Sequence, residues 1–225
     1  MYDLTSKKPY IKDSMFTKSA TADHGFIISD SFKTAWSVFK KDWIVVYAVQ
    51  LLPLAVAFIY NMLVGTTEEG SPLSVVWALV YLVLQFVVSM GLIKAYLEII
   101  RGNKVSMDTF KSVAPKILKF IAAQFLLILI VLGGYLLFII PGIIFSIKFM
   151  FAPYLVIDKD MGPIEALKAS AKMTDGVKWD LVGFMAALVV LMYSGALALL
   201  VGLIITIPVG TLAYVVLYER LLKRL

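Results

Sequence analysis

Any chemistry in this 225-residue chain has to begin with Lys148, the only charged residue between Phe120 and Ile157. An ammonium in hydrocarbon costs about 2.5 to 3.5 kcal/mol on insertion scales, so such a residue ordinarily marks a pathway or a pair. Gln124, Gln85 and Gln50 lie in apolar stretches and offer the hydrogen bonds of an anion or headgroup site around it. Glu98 offers a neutralising carboxylate from a neighbouring helix. A plainer reading stands beside this one. Lys148 lies seven residues past Pro141, about 10 Å along a helix, and its long stem can carry the charge to the headgroups. Ser146 and Lys148 do not make a nucleophile and base, because residues two apart on a helix diverge by about 200°.

Elsewhere the inventory of chemical motifs is nearly empty. There is no His-Glu-x-x-His pattern for zinc, no Gly-x-Ser-x-Gly nucleophile turn and no phosphate-cradling Gly-x-x-x-x-Gly-Lys. His24 is the sole histidine and reads as a solvated side chain. The chain has no cysteine, which removes disulfides, thiolate metal sites and a lipoprotein anchor together. No catalytic residue, metal or cofactor is expected.

The elements that must position these residues follow from composition. Hydrophobic residues make up 61% and charged residues 16% of the chain, whereas a soluble domain needs about a quarter of its residues charged to cover one core. Mean hydropathy is +0.91. The expected class is an all-α, polytopic membrane protein. Charge-free runs extend over 43–67, 70–93, 120–147 and 181–218. A span needs about 20 apolar residues, so the last run holds two helices joined by a turn. Proline and glycine mark three turns, at Pro72, Pro141 and Pro208. Six transmembrane helices are predicted at 43–64, 73–97, 118–139, 142–157, 181–202 and 208–224, forming one domain over 29–225 behind a polar tail at 1–28. The fourth span is short for a hydrocarbon core of about 30 Å.

Orientation follows from the basic residues, which cytoplasmic segments retain. Of 21 Lys and Arg, 20 fall in the two termini and the connections 94–119 and 158–180, while the opposite turns carry only Glu68 and Glu69. Both termini are therefore expected on the cytoplasmic side of the inner membrane. The net charge of +6 is explained by this topology and by anionic lipid headgroups, without nucleic acid. No cleavable signal is expected, since 42 polar or amphipathic residues precede the first apolar run.

A short motif precedes each hairpin: Phe32, Lys33, Thr34; Phe110, Lys111, Ser112; Leu167, Lys168, Ala169. The unit reads as a cytoplasmic amphipathic helix followed by a span, a proline turn and a span, three times over. In the first helix Phe32, Ala35, Trp36, Phe39 and Trp43 form one stripe, with Lys33, Lys40 and Lys41 off it. Phe32, Trp36, Phe39, Lys40, Lys41, Trp43 and Trp179 are the expected interfacial lipid contacts. The second helix places Phe110, Val113, Ile117 and Leu118 together, and the third begins at Pro163 with Glu165 in its first turn and Gly176 past its end.

The stretch from Phe149 through Pro153, Tyr154 and Asp158, followed by Gly162, Pro163, Glu165, Ala166, Lys168 and Ser170 and then Gly176 and Trp179, carries a resemblance. With Pro141 and Gly142 ahead of it, this stretch is similar to the glycerophosphoryl diester phosphodiesterase membrane-domain family and its stand-alone bacterial relatives. At motif level the likeness covers about a fifth of the chain, with a similar six-span layout over the remainder. The resemblance implies an inner-membrane protein of largely unassigned activity. It also implies a basic residue at the place of Lys148. The family takes its name from members fused to a catalytic barrel, and nothing here resembles that barrel or its metal-binding carboxylates. No catalytic residue is carried over.

The function expected is that of a non-enzymatic accessory or membrane-organising component, contacting lipid and a protein partner on its cytoplasmic face. The alternative is a small-solute or anion transporter or channel built on Lys148 and the intramembrane glutamines. Because the chain has no native cysteine, orientation has a direct test. Thr67→Cys is expected to react with an impermeant maleimide from outside intact cells and Ser106→Cys only after permeabilisation; the reverse pattern inverts the topology.

Overall fold

A computed structural model describes residues 24–64, 71–197 and 201–225. The expected polar tail up to residue 23, the turn through Glu68, Glu69 and Gly70, and the last residues of the expected fifth span at 198–200 lie outside the described residues. Among the described residues the protein is helical throughout, without a strand. Six of its helical stretches are long and apolar enough to cross a membrane, as a multi-pass membrane protein requires.

Helix α1 (His24–Gln50) enters from residues assigned to the polar tail and kinks at Asp42, where the backbone leaves helical geometry. Helix α2 (Leu52–Val64) continues the same path. The break between them is local, because Pro53 supplies no N–H to the ladder, and Leu51 still bonds to Tyr47 while Ala55 bonds to Leu51. Helix α3 (Pro72–Arg101) starts behind a Ser71 cap with Pro72 in its first turn and stops at Gly102. Glycine is required there: φ is +78°, and the left-handed turn returns the Gly102 N–H to Glu98 and Ile99. At 30 residues α3 rises about 45 Å, so its last turns pass beyond any hydrocarbon core.

A short helix α4 (Met107–Lys111) and a 3₁₀ turn (Ala114–Lys116) lead into α5 (Ile117–Leu137). Phe138 alone is extended, and α6 (Ile139–Phe149) follows directly. Pro141 thus lies inside the first turn of α6, where its missing N–H goes unnoticed. Helix α7 (Ala152–Lys159) resumes after a break at Met150 and Phe151, so the fourth path runs 139–159 and replaces the short 142–157 span. Pro153 explains the break, since it cannot bond back to Phe149. Helices α8 (Pro163–Met173), α9 (Lys178–Leu197) and α10 (Val201–Leu222) complete the chain.

The expected turn at Pro208 is corrected: Pro208 sits within α10. The lost bond would have run to the Ile204 carbonyl, and the Tyr47 hydroxyl donates to that oxygen instead at 3.1 Å. A neighbouring side chain that takes over a freed carbonyl is what makes proline tolerable inside a span. The three prolines therefore occupy three different helix positions, and the expected repeat loses its register in the third unit.

Helix α10 packs along α1, α9 and α3; α5 packs along α6, and α2 along α3. Burial is uneven along the helices. At the end carrying Arg101, Asp158 and Arg220, here the charged end, residues 95–100, 152–157 and 212–218 are almost fully buried. Toward the other, apolar end the helices expose Leu73 through Leu84, Phe125 through Ile144 and Met185 through Leu197 at many positions. Against lipid, burial gains no hydrophobic free energy, so close packing must hold this end together. Gly134 shows how: a Cβ there would come within 2.8 Å of the Phe145 ring and 3.0 Å of the Gly142 Cα, whereas nothing lies within 4 Å of a Cβ on Gly133.

The two adjacent glycines thus separate packing from helix propensity. Gly134→Ala is expected to destabilise the protein by about 2 kcal/mol through overpacking, and Gly133→Ala to be neutral or stabilising by up to about 1 kcal/mol. Thermal unfolding in detergent checks both; equal shifts in the two variants would remove the close approach of α5 and α6 as a determinant.

Candidate functional site

Among the described residues, a cluster of charged and polar groups meets across helices at the charged end. Gly102 ends α3 one residue after Arg101, which places this guanidinium against α7 and α10. Arg101 donates to both Asp158 oxygens, Nη1 to Oδ1 at 2.6 Å and Nη2 to Oδ2 at 2.7 Å. Its Nε donates to Glu219 Oε1 at 2.8 Å, and Nη2 lies 2.7 Å from the same oxygen. The Tyr218 hydroxyl donates to Asp158 Oδ2 at 3.1 Å, and Lys159 Nζ lies 3.6 Å from that atom. The Asp158 side chain is 2% exposed. A planar fork suits paired carboxylate oxygens as an ammonium does not. Every donor nitrogen of the fork is engaged, so the cluster ties the ends of three spanning paths.

Beside it, the break in the fourth path is closed by side chains from two other helices. The Lys148 carbonyl accepts from Ser170 Oγ at 3.0 Å and Thr174 Oγ1 at 3.2 Å. The Phe151 N–H donates to Ser170 Oγ at 3.2 Å, and the Tyr214 hydroxyl donates to the Met150 carbonyl at 2.9 Å. Tyr154, Tyr214, Tyr218 and Phe151 stack around the break with ring centroids 5.3 to 5.9 Å apart. Helix α8 reaches it with one face: Ala166, Leu167, Ser170 and Met173 are buried. At the far end of α7, Asp160 takes φ +56°, and the Lys119 ammonium bonded to it at 3.0 Å holds its exposed carboxyl below the usual carboxylate range.

The expected intramembrane site is not assembled by any described bond. Gln85 donates to Tyr81 in its own helix at 2.8 Å, and Gln50 accepts from Tyr96. Gln124 is half-buried in α5. Glu98 is held by Lys94 at 2.8 Å and by Asn103 at 2.5 Å, which corrects its expected pairing with Lys148. Lys148 is half-buried, with its ammonium 5.5 Å from the centroid of the Phe149 ring. Ser146 donates to the Gly142 carbonyl at 2.8 Å and takes no part with Lys148.

The expected lipid stripe on α1 divides. Trp36, Lys40, Lys41 and Trp43 are exposed, with Lys40 5.8 Å from the Trp36 ring centroid. Phe39 is 7% exposed, and Phe32 stacks on the buried Phe184 at 5.4 Å. Phe39 thus belongs to the protein interior, a correction to its expected place in lipid, while Phe32 is half-buried. The inward face is centred one position away, on Ser31, Thr34, Ala35, Val38, Val46 and Val49, and it packs against α10. Trp179 is 85% exposed.

Sequence reasoning did not bring Arg101, Asp158, Glu219, Tyr214 and Tyr218 together as a site. The available signal was a single carboxylate at the matching end of each of two other spans, with Tyr154 and Asp158, like Tyr214 and Tyr218, four residues apart on one helix face.

The chain is 33% identical over 134 residues to uncharacterised protein Rv2560 of Mycobacterium tuberculosis and, to the same extent, to uncharacterised protein Mb2590 of Mycobacterium bovis. The match covers 58% of this chain and 40% of each relative. No family model matches the chain, and no solved structure matches it.

The arginine cluster has a stability test. Arg101→Ala strands the buried Asp158 and is expected to cost about 3 kcal/mol, while Arg101→Lys restores the charge without the fork and recovers only part of the loss. Melting temperatures in detergent decide it; a wild-type value for Arg101→Ala would show that the three helix ends are held by packing alone.

Proposed function

We propose that this chain is a non-enzymatic protein of the cytoplasmic membrane, with both termini inside, that acts as an accessory or membrane-organising component. Its six spans form three hairpins, and the segments at α1, α4 and α8 present the cytoplasmic face to anionic headgroups and to a protein partner. The single observation that carries this reading is where the polar groups are spent. Arg101, Asp158, Glu219 and Tyr218 bind one another across three helices, and Gln50 and Gln85 are committed to tyrosines. A conducting or catalytic path needs polar groups that remain available along a route.

The distribution of exposed side chains adds weight: apolar residues cover the outer surface at one end, and Trp36, Trp43 and Trp179 stand exposed where lysines begin. Tryptophan next to lysine is the ordinary composition of a membrane interface. The resemblance to the membrane-domain family belongs to the same reading, since it too implies an inner-membrane protein without its own catalytic groups.

Proteoliposomes test the proposal against transport. Loaded with a halide-sensitive dye, vesicles carrying the wild-type protein are expected to show anion flux no greater than protein-free vesicles, and Lys148→Met is expected to change nothing. Flux that appears with the wild type and vanishes in Lys148→Met would replace this reading with an anion pathway through Lys148.

A further inference from the structure

A trough of about 440 Å³ runs between α6 and α9. One wall is Ile140, Ile143, Ile144 and Ile147, a single face of α6 at helical spacing, and the other is Val182. Lys178 and Trp179, in the first turn of α9, line the same trough. We propose that it binds an anionic phospholipid, with one acyl chain along the isoleucines and the phosphodiester at Lys178 and Trp179. The inference rests on the reading above that these helices contact lipid, and it names the lipid class and the place.

Three features select this occupant. The walls are branched aliphatic side chains with few rotamers to lose, and the isoleucine run from 140 to 147 rises about 10 Å, the right shape for several methylenes of an extended chain. The polar residues are confined to one end, so a ligand must be apolar along its length and polar at its tip. The charged residue of the lining is Lys178. The Lys178 ammonium has a partner in Asp175, but at 3.4 Å between two exposed side chains, a contact that a phosphodiester can displace at little cost. The exposed Trp179 indole brings an N–H donor to the same level. A zwitterionic headgroup brings its own ammonium toward Lys178 and loses the advantage.

A second cavity of about 470 Å³, among Tyr154, Leu188, Met192, Gly210, Thr211 and Tyr214, has no charged residue in its lining.

Fluorescence quenching tests the site. In a variant with Trp36, Trp43 and Trp77 replaced by phenylalanine, Trp179 reports alone. The protein is reconstituted in phosphatidylcholine vesicles containing a tenth of either dibrominated phosphatidylglycerol or dibrominated phosphatidylcholine. Quenching by the phosphatidylglycerol is expected to be about threefold stronger, the scale of one partly exposed ion pair, and Lys178→Gln is expected to make the two lipids equal. Native mass spectrometry of the protein with its tryptophans intact is expected to show a retained phosphatidylglycerol that Lys178→Gln loses. Equal quenching by both lipids in the parent variant, or a preference unchanged by Lys178→Gln, overturns the site while leaving lipid contact standing. Quenching by neither lipid overturns the site together with the membrane reading beneath it.

Discussion

A peptide group that leaves the helical ladder inside a bilayer finds no water to replace its partner, and the arrangement of this protein is organised around that constraint. The chain breaks its ladder at Phe149 to Phe151 and again opposite Pro208. Carbonyls at both breaks accept from hydroxyls of other helices: Ser170 and Thr174 at Lys148, Tyr214 at Met150, Tyr47 at Ile204. These bonds fix which helices must be neighbours. Helices α8 and α10 have to lie against the break in the fourth path, and α1 has to lie along α10. Once α7 and α10 are brought together in this way, Asp158 and Glu219 stand side by side at their ends, and the Arg101 fork is the complement that such a pair of buried carboxylates demands.

Cohesion therefore has two sources along the same helices. At the charged end, Leu97, Leu155, Ile157, Leu217 and Tyr218 are withdrawn from solvent, and where that solvent is water the hydrophobic effect acts as in a soluble domain. At the apolar end the alternative to a protein neighbour is a lipid chain, and the gain comes from fit, as between α5 and α6 at Gly134 and Gly142. The side chains that look most hydrophobic in the sequence are consequently among the least buried: Phe58, Leu136 and Leu197 are all largely exposed.

Much of the architecture was legible because membrane spans obey a length rule. The six apolar stretches were countable, and their borders at the charged end were marked by Lys and Arg. The proline turns misled for a physical reason: a proline announces a missing N–H, and whether that ends a helix depends on a partner such as Tyr47, far away in the chain. The α1 stripe misled in a related way. Periodicity locates a face to within one position, and a shift of that size moved Phe39 into the interior while leaving Trp36 outside. The arginine cluster was illegible from spacing, since 57 residues separate Arg101 from Asp158 and 118 separate it from Glu219; only the shared end of the spans hinted at it.

The sequence distances in the break carry an order of assembly. Helix α6 leaves the ribosome with its final carbonyls unmatched. Ser170 follows Lys148 by 22 residues and Thr174 by 26, whereas Tyr214 follows Met150 by 64. The carbonyl that Tyr47 meets lies 157 residues downstream of it, in α10. Helix α10 is thus the keystone among the described helices: until it is made, Tyr47, Arg101, Met150 and Asp158 each lack a partner that it supplies.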